Sequence, residues 1–248
     1  MRELGKNDNK GIKKRCTAIV LAAGSGRRMQ FPQPKQFMML GEKPLLWYSL
    51  QAVERSEIID DCILVTGAEY ISYVKTEIVE RYGFRKIREI TAGGSERYES
   101  VYSGLKALKE ASGYVFIQDG ARPFLTEEIL RDTYEAVCRY GACVAAVPVK
   151  DTVKIADGEG FAVQTPNRSL VWAVQTPQVF EAGLIRQAYD MLFERLEELK
   201  ERGVAVTDDA MVAETMLGTR VKLVKASYEN IKITTPEDRK TALGFLTE

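Results

Sequence analysis

The chain has 248 residues, 45% of them hydrophobic, which suits one large α/β domain or two small ones and sets disorder aside as the default reading. Lys plus Arg and Asp plus Glu both number 35, so no global field points to nucleic acid or to an anionic membrane, and any cationic site must be local. Histidine is absent, which removes the commonest general base, the commonest metal ligand and every Ser-His or Cys-His nucleophile.

The opening stretch, MRELGKNDNKGIKKR, has no apolar signal-peptide core, and its Glu3 and Asp8 argue against an organelle transit peptide. It is expected to be a mobile basic tail over 1–16, ahead of a single domain over 17–248. Short apolar runs then alternate with segments of helical period. AIVLAAG (18–24) and CILVTG (62–67) read as strands flanking a helix at 44–56. An amphipathic helix over 69–83 follows, then a strand at 86–91, a helix from 97, the buried strand YVFIQ (114–118), and a helix leading into CVAAVPV (143–149).

That rhythm predicts a Rossmann-like α/β fold, a mostly parallel sheet flanked by helices. From 150 to about 174 the pattern shifts to short pieces punctuated by Gly and Asp, which predicts a protruding β-arm with too little apolar surface to pack alone. One helical stripe is expected to carry Leu184, Ala188, Leu192, Leu196 and Leu199. A strand over 221–226 and a helix over 235–246 close the domain. The cysteines, Cys16, Cys62, Cys138 and Cys143, lack metal or disulfide spacing and read as reduced thiols of a cytoplasmic chain. No run is long enough to span a bilayer.

The loop LAAGSGRRM (21–29) leaves the first strand at its carboxyl end, where open α/β sheets bind ligands. Gly24 and Gly26 permit close backbone approach, so successive N–H groups can converge on phosphate oxygens, and Arg27, Arg28 and Lys35 add charge. A dinucleotide fingerprint requires a third glycine where Met29 stands and an acidic residue after the second strand, where the chain reads VTGAE; a Walker A pattern is absent as well.

LAAGSGRRM followed by PKQF resembles the signature of nucleotidyltransferases that join a nucleotide to a sugar phosphate. QDGARPF (118–124), VPVKDTVK (147–154), WAVQTPQVF (172–180), VTDDA (206–210) and YENIKITTPED (228–238) are similar to the blocks of the 2-C-methyl-D-erythritol 4-phosphate cytidylyltransferases, in the same order. The resemblance implies a fold of nucleotidyltransferase type and transfer of the cytidylyl group of CTP to 2-C-methyl-D-erythritol 4-phosphate, with Mg2+ as the divalent cation.

By that resemblance Arg28, Lys35 and Lys232 are the catalytic cations. Ala22, Ala23, Gly24, Gly26, Gly94, Ser95, Ser100 and Gly120 hold the nucleotide. Asp119, Arg122, Thr152, Arg168 and Thr207 hold the polyol phosphate, with Asp119 also nominated for the metal. Thr152 and Arg168 lie in the arm, which implies a homodimer whose sites are built from two chains. The chain departs from the family at Gln118, where a histidine is common, and at Ser95, where an acid is common. PKQF, RPFLT and NIKITTP are shared with cytidylyltransferases of other polyol phosphates, such as ribitol 5-phosphate, and the arm is what separates the two. A nucleotide-binding oxidoreductase and a non-catalytic nucleotide-sensing module are the readings from other classes.

Overall fold

The structure, a computed structural model, describes residues 13–24, 34–109 and 113–246. Strand β1 (Cys16–Ala22) is followed by a small hairpin of β2 (Met39–Leu40) and β3 (Lys43–Pro44), helix α1 (Leu45–Arg55) and β4 (Asp61–Thr66). Helix α2 (Ile71–Tyr73) continues as a π-helical stretch, Val74–Glu80, before β5 (Ile87–Ala92), α3 (Arg97–Ala107), β6 (Tyr114–Asp119), α4 (Glu127–Tyr140) and β7 (Ala142–Pro148). Beyond the exposed hairpin of β8 (Ile155–Ala156) and β9 (Ala162–Gln164) come β10 (Trp172–Glu181), α5 (Ala182–Glu194), α6 (Leu196–Glu201), α7 (Asp209–Leu217), β11 (Lys222–Lys225) and α8 (Pro236–Phe245).

Seven strands form one sheet in the order β11-β7-β10-β6-β1-β4-β5. Every neighbouring pair is parallel except those made by β10, which runs antiparallel to both β6 and β7. The period-2 pattern of the buried strands divides the core in two. In β1, Ala18, Val20 and Ala22 pack with Leu46 and Leu50 of α1, while Ile19 points to the other face with Val101 and Leu105 of α3 and Ile185 of α5. Each such fully buried Val, Leu or Ile side chain is worth roughly 1.5–3 kcal/mol. Helix α4 has the ends its sequence advertises: Thr126 Oγ1 accepts from the Ile129 N–H at 3.3 Å, and Gly141 closes the helix at φ 75°.

Three expectations need correction. The tail was bounded at 16, but Cys16 is already a fully buried strand residue, and Lys13 and Lys14 ion-pair with Asp60 and Glu181. The helical stripe over 184–199 is split at Arg195 (φ −110°, ψ 10°), whose guanidinium pairs with Glu198; Leu192 and Leu199 nevertheless share one apolar layer. The arm was bounded at 174, but β10 begins at Trp172, so the root of the arm is sheet. Its register slips between Val174 and Gln178, which frees Gln175, Thr176 and Pro177 from the ladder with β7.

All four cysteines are free, and only Cys138 is exposed. Burial pushes the Cys16 and Cys143 thiols up to about 12, so neither is poised to ionise at neutral pH.

Candidate active site

A cavity of about 310 Å³ opens beyond the carboxyl ends of β1 and β6. One wall is the end of β1, where Ala22, Ala23 and Gly24 line the space; a Cβ at Gly24 would meet no described residue within 4 Å. The facing wall is the turn entering α3, contributed by Gly94, Ser95 and Ser100. That turn is tight for a stated reason. A Cβ at Gly94 would lie 2.4 Å from the Cβ of Glu99, and the Gly94 N–H donates to Ser100 Oγ at 3.2 Å. Glu96 and Glu99 form a capping box on α3, and Ser95 Oγ donates to Glu99 Oε2 at 2.8 Å.

The cations arrive from distant parts of the chain. Lys35 opens a short 3-10 turn, Lys35–Phe37, that is pinned to the sheet by Gln36, whose Nε2 donates to the Ala22 carbonyl at 2.5 Å. Lys35 Nζ donates to the Ile233 carbonyl at 2.8 Å. One residue before that carbonyl, Lys232 places Nζ 2.6 Å from Asp119 Oδ2. The Ile233 N–H donates to the Ala121 carbonyl at 2.9 Å, fastening the NIK segment beside the end of β6.

Asp119 forms part of the cavity lining and is 7% exposed. Its backbone N–H donates to Thr176 Oγ1 at 3.1 Å, which is the use made of the slipped register in β10. Arg97 Nε lies 3.3 Å from Asp119 Oδ1. Burial would raise the pKa of this carboxyl, but the charges of Arg97, Lys232 and Arg122 outweigh it, and Asp119 is held well below the usual carboxylate range. Arg97 also grips Asp209 with two parallel bonds of 2.9 and 2.8 Å.

The donor set does not make a protein cage for a divalent ion. Among the described residues there is no group of three or more Asp, Glu, Cys and His side chains suited to a metal, and both oxygens of Asp119 already face cations. The nomination of Asp119 as a magnesium ligand has no geometric support here.

Of the residues expected from sequence, Ala22, Ala23, Gly24, Lys35, Gly94, Ser95, Ser100, Asp119 and Lys232 meet on this one cavity. Gly26 and Arg28 lie outside the described residues. Gly120 is behind the wall: its N–H donates to the Leu21 carbonyl, and a Cβ there would come within 2.8 Å of Leu46. Arg122, expected on a substrate phosphate, is 9% exposed and donates to the Asn230 carbonyl at 2.7 Å, so in this structure it braces the NIK segment from below. Thr152, Arg168 and Thr207 are exposed and outside the cavity lining, with Arg168 Nη1 donating to the Lys150 carbonyl within the arm.

Sequence reasoning missed Arg97, Asp209, Gln36 and Asn230. Arg97 did leave a signal. An arginine at the first position of a helix opposes the helix dipole, and its presence there implies a carboxylate partner.

The IspD family model, described as 2-C-methyl-D-erythritol 4-phosphate cytidylyltransferase, matches residues 16–248. The 2-C-methyl-D-erythritol 4-phosphate cytidylyltransferase of Lachnospira eligens is 50% identical over 230 residues, covering 93% of this chain and 98% of the relative. That of Lachnoclostridium phytofermentans is 46% identical over 94% of this chain and 97% of its own length. Among solved structures, the 4-diphosphocytidyl-2C-methyl-D-erythritol synthase of Anaerococcus prevotii superimposes with a TM-score of 0.79 at 36% identity, covering 95% of this chain and 97% of that one. With the family model matched over residues 16–248, relatives up to 50% identical among these and a shared fold, this chain belongs to the 2-C-methyl-D-erythritol 4-phosphate cytidylyltransferase family.

Proposed function

We propose that the cavity between β1, α3 and β6 holds CTP and that Lys35 and Lys232, with Arg28, carry the family's reaction: transfer of the cytidylyl group of CTP to 2-C-methyl-D-erythritol 4-phosphate. A phosphate oxygen of the polyol attacks the α-phosphorus, a new P–O bond forms, and the bond to pyrophosphate breaks. The attacking phosphate monoester is already ionised at neutral pH, so no general base is required, in keeping with a chain that contains no histidine.

The barrier is electrostatic, because two polyanions must meet and charge grows on the leaving pyrophosphate. Fixed cations and backbone N–H groups lower it without reorganising. The observation that carries this reading is the convergence of Lys35 and Lys232, almost two hundred positions apart, on one cavity, Lys35 on the Ile233 carbonyl and Lys232 on Asp119. The backbone of Ala22–Gly24 and the Gly94 turn suit the base and phosphates. The divalent cation that nucleotidyltransferases generally use would enter on the triphosphate as part of the substrate.

The polyol phosphate side is assigned to Asp119, Arg122 and Thr207, completed by Thr152 and Arg168 from the arm of a second copy. Support for the homodimer is the apolar surface the arm leaves uncovered: Phe161 is 69% exposed, Val163 63% and Leu170 76%. A cytoplasmic location agrees with free cysteines and with the absence, among the described residues, of any helix long and apolar enough to cross a membrane. The test is steady-state kinetics of Lys232→Ala. A fall in kcat that exceeds any rise in the KM for CTP is expected, and equal binding and turnover losses would sink the catalytic assignment.

A further inference from the structure

Asp119 and Arg97 both line the cavity, and the partners of Arg97 extend inward from it. Arg97, the first residue of α3, spends Nη1 and Nη2 on Asp209, and its Nε faces Asp119. Asp209 is fully buried and also accepts from Tyr189 Oη at 2.6 Å. The backbone N–H groups of Asp209 and Ala210 donate to Gln178 Oε1, at 3.0 and 2.9 Å, and Gln178 Nε2 donates to Asp208 Oδ2. The start of α7, two residues beyond Thr207, is therefore locked to β10 and α5.

We infer that Arg97 is a positioning residue for the reaction: held by Asp209, it fixes the carboxylate of Asp119 and couples the α3 wall of the nucleotide cavity to the α7 start beside Thr207. A planar guanidinium can bridge two carboxylates in fixed directions, whereas a lysine ammonium is a single point charge. The inference rests on the reading that Asp119 belongs to the reacting site.

A simple deletion does not separate positioning from stability, because Arg97→Met leaves a buried, unpaired Asp209 and unfolds part of the population. Replacing the whole buried set by apolar groups does separate them. In the triple variant Arg97→Met, Asp209→Leu, Tyr189→Phe the Asp209 carboxylate and the Tyr189 hydroxyl are removed together with the guanidinium, and Asp119 loses Arg97 but keeps Lys232, so a folded chain at some cost in stability is expected.

With the folded triple variant, CTP and 2-C-methyl-D-erythritol 4-phosphate, kcat should fall by roughly tenfold to a hundredfold while the KM for CTP changes by less than about threefold. Turnover at the parent level in a folded triple variant would overturn the inference, as would a loss carried by the KM for CTP alone, which would make Arg97 a nucleotide contact. Should the triple variant not fold, Arg97→Lys decides by the same criteria, since it keeps the charge and loses the bridge. Asp119→Asn is assayed in parallel: full activity there would remove Asp119 from the site, a failure of the underlying reading and distinct from a failure of the Arg97 linkage.

Discussion

Lys35 and Asp119 do opposite work at the cavity, and each carries a prediction. Lys35 lines the cavity and its Nζ donates to the Ile233 carbonyl, which holds the ammonium where the proposed reaction uses its charge. Lys35→Ala should lower kcat by about a hundredfold and raise the KM for CTP by much less, measured by steady-state pyrophosphate release. Asp119 is bound into the fold. Its folded pKa is depressed because Arg97, Lys232 and Arg122 outweigh burial, so its stabilising contribution is complete above the unfolded carboxyl value near 4 and is lost as pH falls through the folded value. Asp119→Asn should therefore cost on the order of 3 kcal/mol at pH 7, with the gap to the parent chain narrowing below about pH 4. Urea unfolding at the two pH values checks this, and a gap independent of pH would contradict it. Gly24, Gly94, Lys35, Lys232 and Asp119, which line one cavity, could be named from the sequence because the blocks that carry the family resemblance are local. Arg97 and Asp209 were not, because their meaning is a pairing across 112 positions that only the fold creates.

The strands and helices were legible where burial is complete, since β1, β4, β6 and β7 are continuous apolar runs and α4 carries its own cap and stop. Strand β10 was less so, because its ladder with β7 slips at Gln175–Pro177 and its first residues fall inside the stretch that reads as an arm. The slip has a use, for it brings Thr176 Oγ1 to the Asp119 N–H and the Thr176 carbonyl to Asn230 Nδ2 at 2.9 Å. The start of α7 gives a prediction at this scale. Asp208, rather than Thr207, is its N-cap, accepting from the Met211 N–H at 2.9 Å and also from Gln178. Asp208→Ala should destabilise the fold by about 1 kcal/mol or somewhat more, read from denaturant midpoints, whereas Thr207→Ala should leave the midpoint nearly unchanged and raise the KM for the polyol phosphate. A stability loss at Thr207 equal to that at Asp208 would contradict the division of roles.

At the scale of the molecule, the sheet and its flanking layers build the cavity proposed for the nucleotide, and the arm, outside that cavity's lining, leaves Phe161 and Leu170 exposed. Its composition was legible in the sequence, whereas its end was not, because Trp172 and Ala173 already pair with β7. Phe161→Asp should shift the molecule toward monomer in sedimentation velocity, and Arg168→Ala should raise the KM for 2-C-methyl-D-erythritol 4-phosphate by about tenfold with the KM for CTP unchanged. A dimer that persists in Phe161→Asp would take that residue out of the interface. The most direct test of the whole account is pyrophosphate release from CTP and magnesium with 2-C-methyl-D-erythritol 4-phosphate and, in parallel, with ribitol 5-phosphate. Release with the first and none with the second is the predicted result; release with ribitol 5-phosphate alone, or with neither, would contradict it.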